Sequence, residues 1–347
     1  MKMCRKHNKK LIAALSVALM LSGCSTGATT GSARDGQTQN VPGNETVASE
    51  IDPENVEEQI PAGPTPEELE AIANEEADAW IKEHHIWVPA EYADISHSDL
   101  RNVDIDRIIS RLPNIKRLVM CDCGLTNDEY AAIQDRHPDI KIVWEIQLSH
   151  WTIRTDVVAF STFKTTADEF YLDNDEAYYL KYCDELVALD LGHNYVSDLS
   201  FLEYMPNLKI LILVDNVKCK EGETLRHLTD LSDVRYCTKL RYLEIFANNV
   251  SDFSFMENLT ELEDLNISYN SVSSIEYMRN LPNLKRLWME NTYIPYSSYL
   301  SLRQMYPNAQ IIYSGEGSVD QGWRSGPRYY AMRRMFRDNY IDEIYRD

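Results

Sequence analysis

Leu186-Val187-Ala188-Leu189-Asp190-Leu191-Gly192-His193-Asn194 places leucine at the first, fourth and sixth positions of a nine-residue frame and asparagine at the ninth. The frame returns 22 residues later at Leu208, Leu211, Leu213 and Asn216. It recurs at Leu240, Leu243, Ile245 and Asn248, and at Leu262, Leu265, Ile267 and Asn270. A further copy, Leu284, Leu287 and Met289, carries Thr292 at the ninth position and Asn291 one place early. The step from Leu208 to Leu240 is 32 residues, one period plus a ten-residue insertion around Val217 to Thr229. Such a period marks a stacked repeat, because one unit cannot bury its own apolar edge whereas a stack buries a continuous one.

Outward from this block the flanks share a longer repeat. Leu112-Pro113-Asn114-Ile115-Lys116-Arg117-Leu118 matches Leu281-Pro282-Asn283-Leu284-Lys285-Arg286-Leu287 without a gap, and the match continues through Tyr130 with Tyr299, Ile142 with Ile311 and Trp144 with Tyr313. The expected unit is a strand, a convex-side helix and a second strand. The expected fold is an α/β solenoid over residues 91–313, with a parallel concave sheet and helical caps at both ends. Frame positions one, four and six face the core, since alternate strand residues share a face. Asn194, Asn216, Asn248 and Asn270 form a structural ladder, each amide donating to and accepting from backbone groups of adjacent turns.

The frame L-x-x-L-x-L-x-x-N, repeated at 22 residues, resembles that of leucine-rich repeat proteins, with units similar to the internalin-type bacterial class. The resemblance covers some 220 of 347 residues. It implies a recognition scaffold rather than an enzyme, and a protein or glycan partner, because such solenoids serve mostly as binding surfaces.

Residues 64–90 should hold an N-terminal helix: Thr65 caps, Pro66 suits the first helical position, and Glu68 completes a capping box. Residues 314–347 form the C-terminal cap, an amphipathic helix expected over the open end of the stack. The first 23 residues read as a lipoprotein signal peptide. Lys2, Arg5, Lys6, Lys9 and Lys10 precede an apolar run from Leu11 to Leu21 that is too short to span a bilayer. Leu21-Ser22-Gly23-Cys24 then resembles the bacterial lipobox, which implies lipidation of Cys24 and a chain anchored to the cell membrane, facing outside the cytoplasm. Residues 24–63 nearly lack large apolar side chains and read as a disordered acidic tether.

Charge and composition narrow the function further. Lys+Arg number 34 against 55 Asp+Glu, for a formal charge of −21, and removal of the signal takes it to −26. Nucleic-acid binding is excluded as an expectation, because phosphate binding needs clustered Lys and Arg. No Gly-rich phosphate loop, G-x-S-x-G or H-E-x-x-H is present, so no cofactor, metal site or catalytic residue is assigned. Asp173-Asn174-Asp175-Glu176 lacks the Gly and distal Glu of an EF-hand loop. Cys123 falls at the asparagine position of its frame, and Cys183 and Cys237 at positions held elsewhere by Met205 and Leu259, so they read as buried small hydrophobes. Two alternatives stay open: an envelope hydrolase with a site near Asp190, His193 and Asp215, and a structural spacer without a specific ligand.

The expected binding surface is the concave face. Frame positions three, five and seven place Ile210, Ile212, Val214, Tyr242, Glu244 and Phe246 on neighbouring strands, with Trp288 two strands further on. A contiguous apolar patch on a wet face marks a contact surface. The competing expectation is that the Val217 to Thr229 insertion or the Trp151 to Tyr182 segment folds over it and makes it core. Glu263, by contrast, is expected to be exposed.

Overall fold

Each repeat contributes a three-residue strand, because the frame alternates large apolar residues with outward-facing ones for only that distance before the turn. The computed structural model describes residues 64–163, 170–218, 226–315 and 321–346. The signal, the Cys24 lipobox and the tether lie outside the described residues, as does Cys219. Helix α1 (Pro66–Glu83) begins at the expected capping box, with Thr65 and Glu68 bonded reciprocally.

Strands β1 (Tyr92–Asp94), β2 (Arg117–Val119) and β3 (Lys141–Val143) form a first parallel sheet. Helices α2 (Ile105–Ser110) and α3 (Asn127–Arg136) fill its crossovers. A hairpin of β4 (Glu145–Gln147) and β5 (Thr152–Arg154) interrupts the stack. It then resumes as a seven-stranded sheet beginning with β6 (Ala159–Ser161), β7 (Ala188–Asp190) and β8 (Ile210–Ile212). A short helix, α4 (Asn174–Ala177), lies between β6 and β7, capped by Asp173, whose carboxylate accepts from the Glu176 amide. The Asp173 to Glu176 acidic run is therefore a helix start.

The described ends of the insertion pair antiparallel, β9 (Val217–Lys218) with β10 (Arg226–His227). The chain rejoins the stack where the Leu228 amide donates to the Asn216 carbonyl. The sheet continues through β11 (Tyr242–Glu244), β12 (Asp264–Asn266), β13 (Arg286–Trp288) and β14 (Gln310–Ile312), all parallel and in register. Leu189, Leu211, Leu243, Leu265, Leu287 and Ile311 lie side by side across it and face the main core. Helix α5 (Tyr296–Met305) occupies the last crossover, and helix α6 (Pro327–Asp338) follows the sheet. With the strands of both stacked sheets parallel and convex-side elements in the crossovers, the chain is an α/β leucine-rich repeat solenoid.

The asparagine ladder has a specific geometry. The Asn248 amide donates to the Leu213 and Ile245 carbonyls, while its oxygen accepts from the Asn216 amide N–H. Asn270 donates to Ile245 and Ile267 and accepts from Val250. Asn194 and Asn216 make equivalent links, so each turn satisfies the next. The residue just before each asparagine adopts a left-handed conformation: His193, Asp215, Ala247 and Tyr269 have φ between +48° and +61°.

That backbone requirement explains the irregular last unit. Asn291 sits in the left-handed place (φ 51°), which asparagine tolerates well, and Thr292 takes the ladder place by donating to the Met289 carbonyl at 3.0 Å. Cys123 stands in for asparagine in the first sheet, its thiol donating to the Ile95 carbonyl at 3.4 Å. Burial pushes the Cys123 thiol up to about 11 and those of Cys183 and Cys237 up to about 12, so all three stay neutral.

Candidate functional site

On the concave side, the strand register puts Ala188, Ile210, Tyr242, Asp264 and Arg286 in one row. Asp190, Ile212, Glu244, Asn266 and Trp288 form the next. The grid is the one the repeat frame implies, but it is not open. Ile210, Ile212, Val214, Tyr242, Glu244 and Trp288 are all buried, and Phe246 is half-buried. The expected binding patch is therefore a second hydrophobic core. Among the described residues, the chain's own C-terminal segment supplies the cover.

Helix α6 forms as its amphipathic spacing predicts, but it lies on the concave face rather than over the open end of the stack. Trp323, Ala331, Met332, Met335, Phe336 and Tyr345 pack against Ile210, Ile212, Val214, Tyr242 and Trp288. The Trp323 ring sits 5.3 Å from that of Tyr242 and 5.1 Å from that of Trp288, with the Arg286 guanidinium stacked on it at 4.7 Å. A tail with a wide apolar face and an unfilled apolar sheet bury one another, since both would otherwise expose that area to water.

Polar pairs fix the register of this docking. Arg328 and Arg286 both bond the buried Asp264 carboxylate. Arg324 reaches Glu244 at 3.0 Å, and the Tyr242 hydroxyl donates to the same carboxylate at 2.6 Å. Lys209 donates to the Tyr345 carbonyl, and Arg241 to that of Ile344. At the far edge the Asn339 side-chain oxygen accepts from the Val158 and Ala159 amides, capping the exposed side of β6. Glu263 is buried as well, bonded by Arg241 and Lys285, and is not the exposed position its place in the frame suggested.

A cleft of about 200 Å³ survives where β7 and β8 meet α6, and Asp190 and His193 line it. His193 pairs with Asp215 at 3.3 Å. Asp190 accepts from the Ser161 hydroxyl at 2.9 Å and the Gly192 amide at 3.0 Å, and burial still pushes its carboxyl above the ordinary range. The Ser161 hydroxyl is thus turned toward a carboxylate rather than toward histidine. Among the described residues no nucleophile–histidine pair forms at the positions the hydrolase alternative names, and no cluster of metal-ligating side chains is present. The tail residues Trp323, Arg324 and Arg328 matter most here, and sequence reasoning missed their destination. The available signal was charge: Glu244 and Asp264 stand beside apolar residues on the concave grid and call for cations.

No family model matches the chain, and neither does any curated protein. Among solved structures, internalin C2 of Listeria monocytogenes is 22% identical with a TM-score of 0.33, over 64% of this chain and 80% of that one. A second internalin of the same organism is 15% identical with a TM-score of 0.33, over 61% and 64%. The leucine-rich repeat ectodomain of the plant receptor kinase GASSHO1/SCHENGEN3 from Arabidopsis thaliana is 14% identical with a TM-score of 0.33, covering 57% of this chain and 21% of that one.

Proposed function

We propose that this chain is a non-catalytic recognition protein, lipid-anchored at Cys24 to the outer face of the cell membrane and carrying its solenoid on the 24–63 tether toward a protein or glycan partner. The observation that carries the reading is the aromatic flank of the last repeat. Tyr293 and Tyr296 are 73% and 59% exposed. The Tyr296 ring clusters with those of Tyr299 and Tyr313, with centroids 4.9–5.6 Å apart. Large amphipathic rings held rigidly at a surface are the usual anchors of interfaces. The concave carboxylates and His193, by contrast, are engaged in pairs that hold the fold. No helix among the described residues is long and apolar enough to cross a membrane.

The test is capture of envelope components by the full-length chain in detergent, compared with the Tyr293→Ala/Tyr296→Ala double variant. The reading expects a captured component that the double variant loses by tenfold or more at unchanged melting temperature. Equal capture by both proteins would remove the flank as the contact surface.

A further inference from the structure

The cleft between β7, β8 and α6 has a feature that the packing of the tail does not require. Helix α6 carries four arginines. Arg328 holds Asp264, Arg334 holds Asp342 and Arg337 holds Asp338, whereas Arg333 makes no ion pair among the described residues. Arg333 is exposed and lines this cleft and the adjoining one on the outer side of the helix. Its guanidinium lies over the Phe163 ring at 5.2 Å.

Phe163 is held in place at a cost. Its φ is +49°, a left-handed conformation that bulky residues avoid, and its side chain remains 48% exposed. The position is enforced by its amide, which donates to the Ser161 hydroxyl oxygen, itself fixed by Asp190. An exposed aromatic ring at the mouth of a cleft, opposite a guanidinium with no carboxylate partner among the described residues, is the arrangement expected of a site rather than of a core.

The geometry points to this cleft as a binding site for a carboxylate carried on a body the size of one residue, with the carboxylate on Arg333 and the body between Phe163, Ile212 and Met332. A guanidinium fork suits a carboxylate in two parallel hydrogen bonds. At about 200 Å³ the cleft takes one amino-acid side chain or one sugar ring, not a longer segment. Asp190 at its floor supplies an acceptor for a hydroxyl or amide of the ligand. The inference rests on the reading of the chain as a recognition protein, but concerns a site separate from the tyrosine flank.

Two sources share this chemistry, a peptide's terminal carboxylate and a sugar acid. The full-length chain is titrated with N-acetyl-leucine for the first and glucuronate for the second, with calorimetry as the readout. At least one probe is expected to bind at millimolar concentration or below, and the one that binds identifies the source. Arg333→Gln should weaken that probe at least tenfold and Arg333→Lys by less, both at unchanged melting temperature. Phe163→Gly should also weaken it, while the melting temperature holds or rises because glycine accepts the backbone conformation. The inference is overturned if neither probe binds, if Arg333→Gln binds as wild type, or if inorganic phosphate binds as tightly as the carboxylates. Loss of probe binding with partner capture at the tyrosine flank retained would reject the cleft alone.

Discussion

Arg328 grips Asp264 through two parallel hydrogen bonds, Nε to Oδ2 at 2.6 Å and Nη2 to Oδ1 at 2.8 Å, and so ties the C-terminal helix to the middle of the concave sheet. Arg286 adds a third bond to the same carboxylate from within the sheet, Nε to Oδ1 at 2.6 Å. Asp264 is fully buried, so the three groups depend on one another to offset their desolvation. Removal of the carboxylate by Asp264→Ala is expected to cost about 3–5 kcal/mol, because it strands two partly buried guanidinium groups. Urea unfolding monitored by tryptophan fluorescence measures this directly. A loss below about 1 kcal/mol would mean that the clamp is not what holds the tail.

The same carboxylate should make the docked tail acid-sensitive. Burial by itself raises the Asp264 pKa, but the hydrogen bonds of Arg328 and Arg286 outweigh it and hold the group below its ordinary value. An unfolded aspartate titrates at about 3.9. The stabilisation is therefore complete above that pH and is lost as pH falls through the lower, folded value. Stability measured from pH 7 downward should drop more steeply below about pH 4 in wild type than in Asp264→Asn. Parallel curves would show that Asp264 does not carry this acid step.

Burial of the concave aromatics reverses the expectation drawn from the repeat frame. Tyr242→Ala, Trp288→Ala and Trp323→Ala should each destabilise the fold by about 3–5 kcal/mol, as truncation of buried aromatics does. Binding should change only as far as folding does. If Tyr242→Ala and Trp288→Ala keep the wild-type melting temperature and abolish partner capture, the tail is not seated on this face in solution.

The ladder is tested by its amides. Asn248→Ala and Asn270→Ala each remove donors from buried carbonyls and an acceptor from a buried amide, at a cost of about 1–3 kcal/mol. Glu261, which is exposed, is the proper control and should tolerate alanine within about 0.5 kcal/mol. Denaturant midpoints for the three variants decide the matter, and identical values would remove the ladder as a source of stability.

Anchoring is tested outside the described residues. Cys24→Ala should release the chain into the medium or leave an uncleaved precursor, because the acyl chains on Cys24 are the proposed source of membrane attachment. Fractionation of the variant with membranes as a processed, lipid-free form would contradict the proposal.

The amino-acid sequence by itself determined the solenoid. A 22-residue period with Leu at fixed offsets admits one periodic packing, since each unit can bury its edge only against a copy of itself. The ladder asparagines and the capping box of α1 were legible for the same reason: their partners lie within a turn or one repeat away, at offsets the frame sets. The strand β6 was not, because Ala159–Ser161 carries no leucine frame and is recruited by pairing with β7. Nor was the state of the concave face. Amphipathic spacing in residues 327–338 shows that the helix has an apolar side, but periodicity carries no information about which distant surface will cover it. Only the tertiary structure brings Trp323 to Tyr242 and Trp288, and Arg328 to Asp264, across separations of 35 to 81 residues in the chain. The choice rests on the joint burial of two apolar faces and the pairing of charges on each, a complementarity that exists only once both faces are built.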